Sequence, residues 1–289
     1  MYYLLLIVAS MLLVAECALN KIYQGIYGTA PKVVFLYSSI TGILTGIIFF
    51  IINEFKIEFS LYSFIMAGLY NSIVIANTVI AFKFLKTGTM AMYSMFLLTG
   101  GMVLPYIWGL LFLKEEFSIL RTVVLFVILA DIILLNYGDK KVSAKQIGMC
   151  LTVFVLNGCA SIISKMHQSQ TAYRVVNTQE FMILGCIFRF VIAGLLFLII
   201  KNDKHSDIKA ASPKKGVIII ALAAAVGGGS FMLQLLGAKA LPATVLYPFI
   251  TGGSIVFSSV ADVIIFKDKL SLKLVISIIV CFAGTLLLL

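Results

Sequence analysis

A carboxylate and a guanidinium stand inside stretches of this chain that are otherwise apolar. Glu16 lies late in the run 2–20, and Arg189 sits between Phe188 and Phe190 in the middle of 178–200. A charge at the centre of a bilayer costs ~2.5–3.5 kcal/mol on insertion scales, so such residues face a bundle interior or a wet cavity. Glu16 in that setting would hold a proton or a substrate amine. Its competing role is a snorkelling carboxylate near the interface, paired with Lys21. Arg189 has the fork of donors that grips a carboxylate in two places. Its competing role, and the preferred one, is a structural ion pair with a buried acid, for which the chain offers Asp131 and Asp262. Both aspartates are read as structural.

Uncharged polar side chains in apolar runs are weaker signals of the same kind. Asn71 and Asn77 share the run 61–82 but lie six residues apart, roughly 120° out of alignment on a helix. Asn157 and Gln234 fall in two further runs. Such amides either line a cavity or join helices by hydrogen bonds. Tyr93 and Tyr247 can each offer a ring and a hydroxyl to an aromatic or amphipathic substrate, or anchor a helix at the interface. The candidate pathway set is therefore Glu16, Asn71, Asn77, Tyr93, Asn157, Arg189, Gln234 and Tyr247. Trp108, the single tryptophan, is read as a packing or interfacial residue.

Catalytic constellations are missing from the sequence. His167 and His205 stand far apart in polar turns, and no metalloprotease or nucleophile-elbow motif occurs. The five cysteines, Cys17, Cys150, Cys159, Cys186 and Cys281, lie in apolar runs without metal-ligand spacing. They read as small buried or lipid-facing residues. No enzyme, cofactor or metal is expected.

The elements that must position these residues follow from composition. The chain is 62% hydrophobic and 12% charged, with mean hydropathy +1.11, so its solvent is lipid. Ten apolar runs approach or exceed the ~20 residues a spanning helix needs: 2–20, 32–52, 61–82, 88–113, 119–137, 146–166, 178–200, 216–237, 242–266 and 271–289. The first lacks the basic start of a signal peptide and reads as a retained helix. The connections are too short for a nucleotide-binding domain. The net charge of +10 sits in turns, as juxtamembrane lysine does, and does not mark a nucleic-acid surface.

One long pattern occurs twice. Thr99-Gly100-Gly101 returns as Thr251-Gly252-Gly253, 152 residues on, and the turn Lys114 to Ser118 returns as Lys267 to Ser271, 153 residues on. Ala81 to Leu85 is echoed by Gly237 to Leu241 at an offset of 156, and Asn20-Lys21 by Ser164-Lys165. The halves are 1–137 and 145–289. Five spans in each is an odd number, so the second repeat enters the membrane from the opposite side. The expected fold is an all-α polytopic membrane protein, ten transmembrane helices as two inverted five-helix repeats. In such proteins the substrate site lies near the midplane between the repeats. Gly227-Gly228-Gly229-Ser230 reads as a site of close helix packing. Pro105 and Pro248 each remove a hydrogen bond inside a repeated helix.

These repeated elements resemble the drug/metabolite transporter superfamily in its ten-helix EamA branch. The resemblance rests on Ala81 to Leu85, Thr99 to Gly101, Lys114 to Ser118, their second-half counterparts and the ending Cys281 to Leu286. Two positions depart from it: Lys114 replaces the usual Gly before the acidic residue, and Lys86 replaces a Pro that Pro242 supplies in the second half. The resemblance implies a secondary transporter in the cell membrane. It would export or exchange a small metabolite, such as an amino acid or related compound, by alternating access without ATP. A nucleotide-sugar or lipid-precursor transporter of the same superfamily is the alternative. Its partners would be a small-molecule substrate and the lipid bilayer, with no nucleic acid; proton coupling through Glu16 and a homodimer are left open. Loops after odd-numbered spans carry fifteen Lys or Arg against six after even-numbered ones. The positive-inside rule then puts both termini outside, whereas the resemblance implies termini inside.

Overall fold

The computed structural model describes residues 2–28, 30–85, 90–136, 143–200, 213–265 and 272–288. They form ten α-helices: α1 Tyr2–Tyr27, α2 Pro31–Ile52, α3 Leu61–Leu85, α4 Met90–Leu111, α5 Ile119–Asn136, α6 Ala144–Ser169, α7 Thr178–Ile199, α8 Pro213–Ala240, α9 Ala243–Ile265 and α10 Leu272–Leu286. Each expected span holds one helix. Seven are long and apolar enough to cross a membrane among the described residues, and α4 and α10 contribute shorter apolar stretches, Met95–Leu111 and Val275–Leu286. The chain is a multi-pass membrane protein. The second charged turn, Lys267 to Ser271, and Lys86 lie outside the described residues, as does the side chain of Asp262.

Local chemistry starts several helices. Pro31 opens α2, where its missing N–H costs no hydrogen bond. Ser143 with Gln146 and Asn177 with Glu180 form capping boxes on α6 and α7, each satisfying two backbone donors reciprocally. Both α4 and α9 run on through their internal prolines. Lys114 adopts φ +53°, a left-handed conformation that glycine enters without penalty. That is the position where the resembled pattern carries Gly.

Packing relates the two halves by exchange. The helices α2, α4 and α5 pack on α7, α9 and α10, their own counterparts. The contact of α1 with α8 returns as α3 with α6, and that of α1 with α9 returns as α4 with α6. The repeated Thr-Gly-Gly makes two of these contacts. A β-carbon on Gly100 would overlap the Phe154 backbone of α6, at 2.6 Å from its Cα, and one on Gly253 would meet Ser10 Oγ of α1 at 3.0 Å. Missing side chains let backbones approach where lipid supplies no hydrophobic driving force.

The loops after α2 and α6 meet one another at one face. Arg174 bridges to Glu58 at 2.7 Å, Asn177 Nδ2 donates to Asn53 Oδ1 at 3.2 Å, and Glu58 N donates to Glu180 Oε1 at 2.9 Å. His167 is not in a polar turn. It is 1% exposed, bonded to Ser63 Oγ at 2.9 Å and stacked on Phe181 at 3.9 Å, because the last turn of α6 continues beneath this loop cluster.

Candidate functional site

Helices α1 to α4 and α6 to α9 surround a cavity of about 700 Å³, and no described residue of α5 or α10 lines it. Both halves supply its polar groups. Glu16 from α1 and Arg189 from α7 are the charged side chains in its lining. Their opposite charges interact across it, although among the described residues neither makes an ion pair.

Each charge is held in its own way. The Glu16 carboxylate rests on Gly227 of α8, where a β-carbon would come within 2.6 and 2.7 Å of its oxygens. The glycine run is thus close helix packing that also makes room for a carboxylate. Arg189 Nε donates to Ser38 Oγ at 3.1 Å. Among the described residues this is its hydrogen bond, made through Nε and not through the terminal amino groups. The expected pair of Arg189 with Asp131 does not form. Asp131 is buried between α5 and α10, where it accepts hydrogen bonds from Ser277 Oγ at 2.6 Å and Cys281 Sγ at 3.1 Å. A hydroxyl and a thiol on the counterpart helix satisfy it, so it needs no arginine.

Six of the other candidates are placed as follows. Asn71, Tyr93, Asn157, Gln234 and Tyr247 line the cavity, and Asn77 does not. Asn77 is 6% exposed, and its Oδ1 has no hydrogen-bond partner among the described residues. The six-residue spacing turns it away from the face Asn71 presents. Several amides are also tied to backbone: Asn157 Nδ2 donates to Leu97 O of α4 at 2.7 Å, and Asn71 Nδ2 to Ala67 O at 2.9 Å. Gln234 Nε2 donates to Ser230 Oγ at 3.1 Å, and Ser230 Oγ to Ala9 O of α1 at 2.7 Å. The Tyr247 hydroxyl donates to Ser161 O and lies 3.1 Å from Ser164 Oγ.

Some lining residues were not among the candidates. Tyr70 and Phe231 stack at 5.0 Å on the wall, and Thr41, Thr45 and Ser161 add hydroxyls. Cys17 and Cys186 also line the cavity, and Cys186 borders the apolar groove between α2 and α7 as well. Tyr70 adjoins Asn71, which was its one sequence signal. The hydroxyls had none, since serine and threonine are common in helices that bond their own carbonyls. Outside the cavity, a groove of about 260 Å³ between α2 and α7 is lined by apolar groups such as Gly42, Gly46, Phe50 and Phe190 and holds no polar chemistry. Among the described residues no cluster of His, Cys, Asp or Glu could hold a metal ion.

Residues 146–289 match the EamA-like transporter family. A solved crystal structure superposes on the chain with a TM-score of 0.75 at 14% identity, covering 98% of this chain and 94% of that one. At that identity the likeness is one of fold. No curated protein matches the sequence significantly. Ten helices whose contacts exchange between halves, a cavity walled by both, and a second half that matches this family agree: that half is an EamA-like transporter unit, and the protein belongs to the drug/metabolite transporter superfamily.

Proposed function

We propose that the protein is a secondary transporter of a small zwitterionic metabolite, an amino acid or a close relative, moved across the cell membrane by alternating access without ATP. The observation that carries this reading is the pairing of one carboxylate and one guanidinium in a single cavity, on helices of opposite halves. A substrate with an ammonium and a carboxylate meets both: Glu16 takes the amine and Arg189 the acid. Charge-assisted hydrogen bonds of this kind are the strong ones, and desolvation strengthens them further. Tyr70, Phe231, Tyr93 and Tyr247 would receive the apolar part of the substrate. The two halves, 1–137 and 145–289, would rock about the cavity as inverted repeats, with export or exchange as the direction. A nucleotide sugar carries two phosphate charges, for which the described lining offers Arg189 alone. This disfavours that alternative.

The test is a thermal-shift panel on the detergent-purified protein with amino acids, polyamines, nucleosides and sugar phosphates, followed by uptake into proteoliposomes. A ligand that binds only the native state raises the midpoint by mass action. Amino acids should raise it, and blocking either the amino or the carboxyl group should abolish the shift. A shift that survives both blocked forms, or a response to sugar phosphates alone, rejects the zwitterion reading. Proton coupling through Glu16 is a separate part of it: unchanged pH dependence of transport in Glu16→Gln would remove it.

A further inference from the structure

The geometry points to an inter-half latch, Glu115 on the N-terminus of α9 with Lys165 on the C-terminus of α8, that shuts the cavity toward the face carrying the even-numbered loops. Glu115 belongs to the turn after α4, in the first half. Its carboxylate accepts from Ala243 N at 2.6 Å, Thr244 N at 2.9 Å and Thr244 Oγ1 at 2.9 Å. These amides are among the unpaired donors at a helix start, where the helix dipole also favours negative charge. The left-handed φ of +53° at Lys114 directs the turn, and Glu115 N closes it on Gly109 O at 3.0 Å.

Lys165 of α6 completes the corner. It is 6% exposed, and its Nζ donates to Ala238 O at 2.8 Å and Leu241 O at 2.5 Å. Those carbonyls end α8, where cations are favoured. Both ends of the short α8–α9 connection are thus clamped by charges from elsewhere, one of them from the other half. Tyr247, one turn into α9, carries the clamp to the cavity wall through Ser161 and Ser164. Ala243 and Thr244, between Tyr247 and the loops, are 0% exposed. The α8–α9 corner is therefore closed to solvent. Opening toward this face demands that Glu115 leave α9.

The latch rests on the alternating-access reading but not on any substrate, so its test is ligand-free accessibility. A chain retaining Cys17 as its only cysteine, with the other four changed to Ser, is reconstituted and labelled with a membrane-impermeant maleimide from each side. A separate Tyr173→Cys chain, in the exposed loop between α6 and α7, identifies the even-loop side. Cys17 should resist label from that side, and Glu115→Gln should raise its rate there tenfold or more. Thr244→Val, which removes one of three hydrogen bonds and keeps the volume, should raise it two- to fivefold. Rates unchanged in both folded variants overturn the latch, as does equal labelling of the unmodified Glu115 protein from the two sides. If Glu115→Gln does not fold, Thr244→Val alone decides. Failure here leaves the zwitterion reading intact, and a failed substrate panel leaves these rates unaffected.

Discussion

The carboxylate of Glu16 lies directly on Gly227, in space that any side chain on α8 would fill. The charge therefore stands in the cavity because α8 carries glycine at that turn. Gly227→Ala must displace Glu16 or push α8 from α1, and such overpacking costs ~1–3 kcal/mol. The expected result is a lowered unfolding midpoint together with at least a tenfold loss of amino-acid binding. Gly148→Ala is the control. It lies in α6 with nothing within 4 Å of a new β-carbon, and the gain in helix propensity should stabilise it by up to ~1 kcal/mol. Binding that stays intact in Gly227→Ala would mean Glu16 does not touch the ligand.

Arg189 and Ser38 supply a graded test of the carboxylate site. Arg189→Lys keeps the charge but loses the planar fork, and amino-acid affinity should fall at least tenfold. Ser38→Ala removes the hydroxyl that accepts from Arg189 Nε at 3.1 Å and should weaken binding about three- to tenfold through orientation alone, a loss of ~0.7–1.4 kcal/mol. Ligand-induced midpoint shifts measure both. Equal loss in the two variants would show that Ser38 contacts the substrate itself.

Asp131 should behave as a purely structural group. Asp131→Asn keeps an acceptor for Ser277 and should fold normally. Asp131→Leu leaves the Ser277 hydroxyl without its partner between α5 and α10, a cost of ~1–3 kcal/mol. Neither change should move ligand affinity, since Asp131 does not line the cavity. A tenfold affinity change at unaltered midpoint would assign it a part in transport.

Backbone strain at Lys114 makes a fourth prediction. A non-glycine residue in the left-handed region costs ~1–2 kcal/mol, so Lys114→Gly should raise the midpoint and Lys114→Val should lower it further than side-chain loss explains. Circular-dichroism melts of the two variants in one detergent give the comparison. If glycine there destabilises, the Lys114 side chain contributes more than its conformation costs.

Much of the architecture was legible in the order of residues. Apolar runs long enough for lipid have few structural options, because an unpaired backbone amide in hydrocarbon costs too much. Helix number and approximate limits followed, and the repeated Thr-Gly-Gly with its charged turn gave the expectation of two related halves. Glu16 and Arg189 stood out because charge inside an apolar run demands a reason. Partnership was not legible. Asp131 found Ser277 and Cys281 instead of Arg189, and Asn77 turned away from the cavity that its neighbour Asn71 lines. Glu115 looked like one more charge in a turn, and Lys165 like one more loop cation, until α8 and α9 placed their ends beside them. Length, hydropathy and repetition are properties of contiguous segments, which sequence records. Which helix faces which, and therefore which charge meets which helix end, depends on backbone approach at glycines such as Gly100 and Gly227. Only the packed bundle decides that.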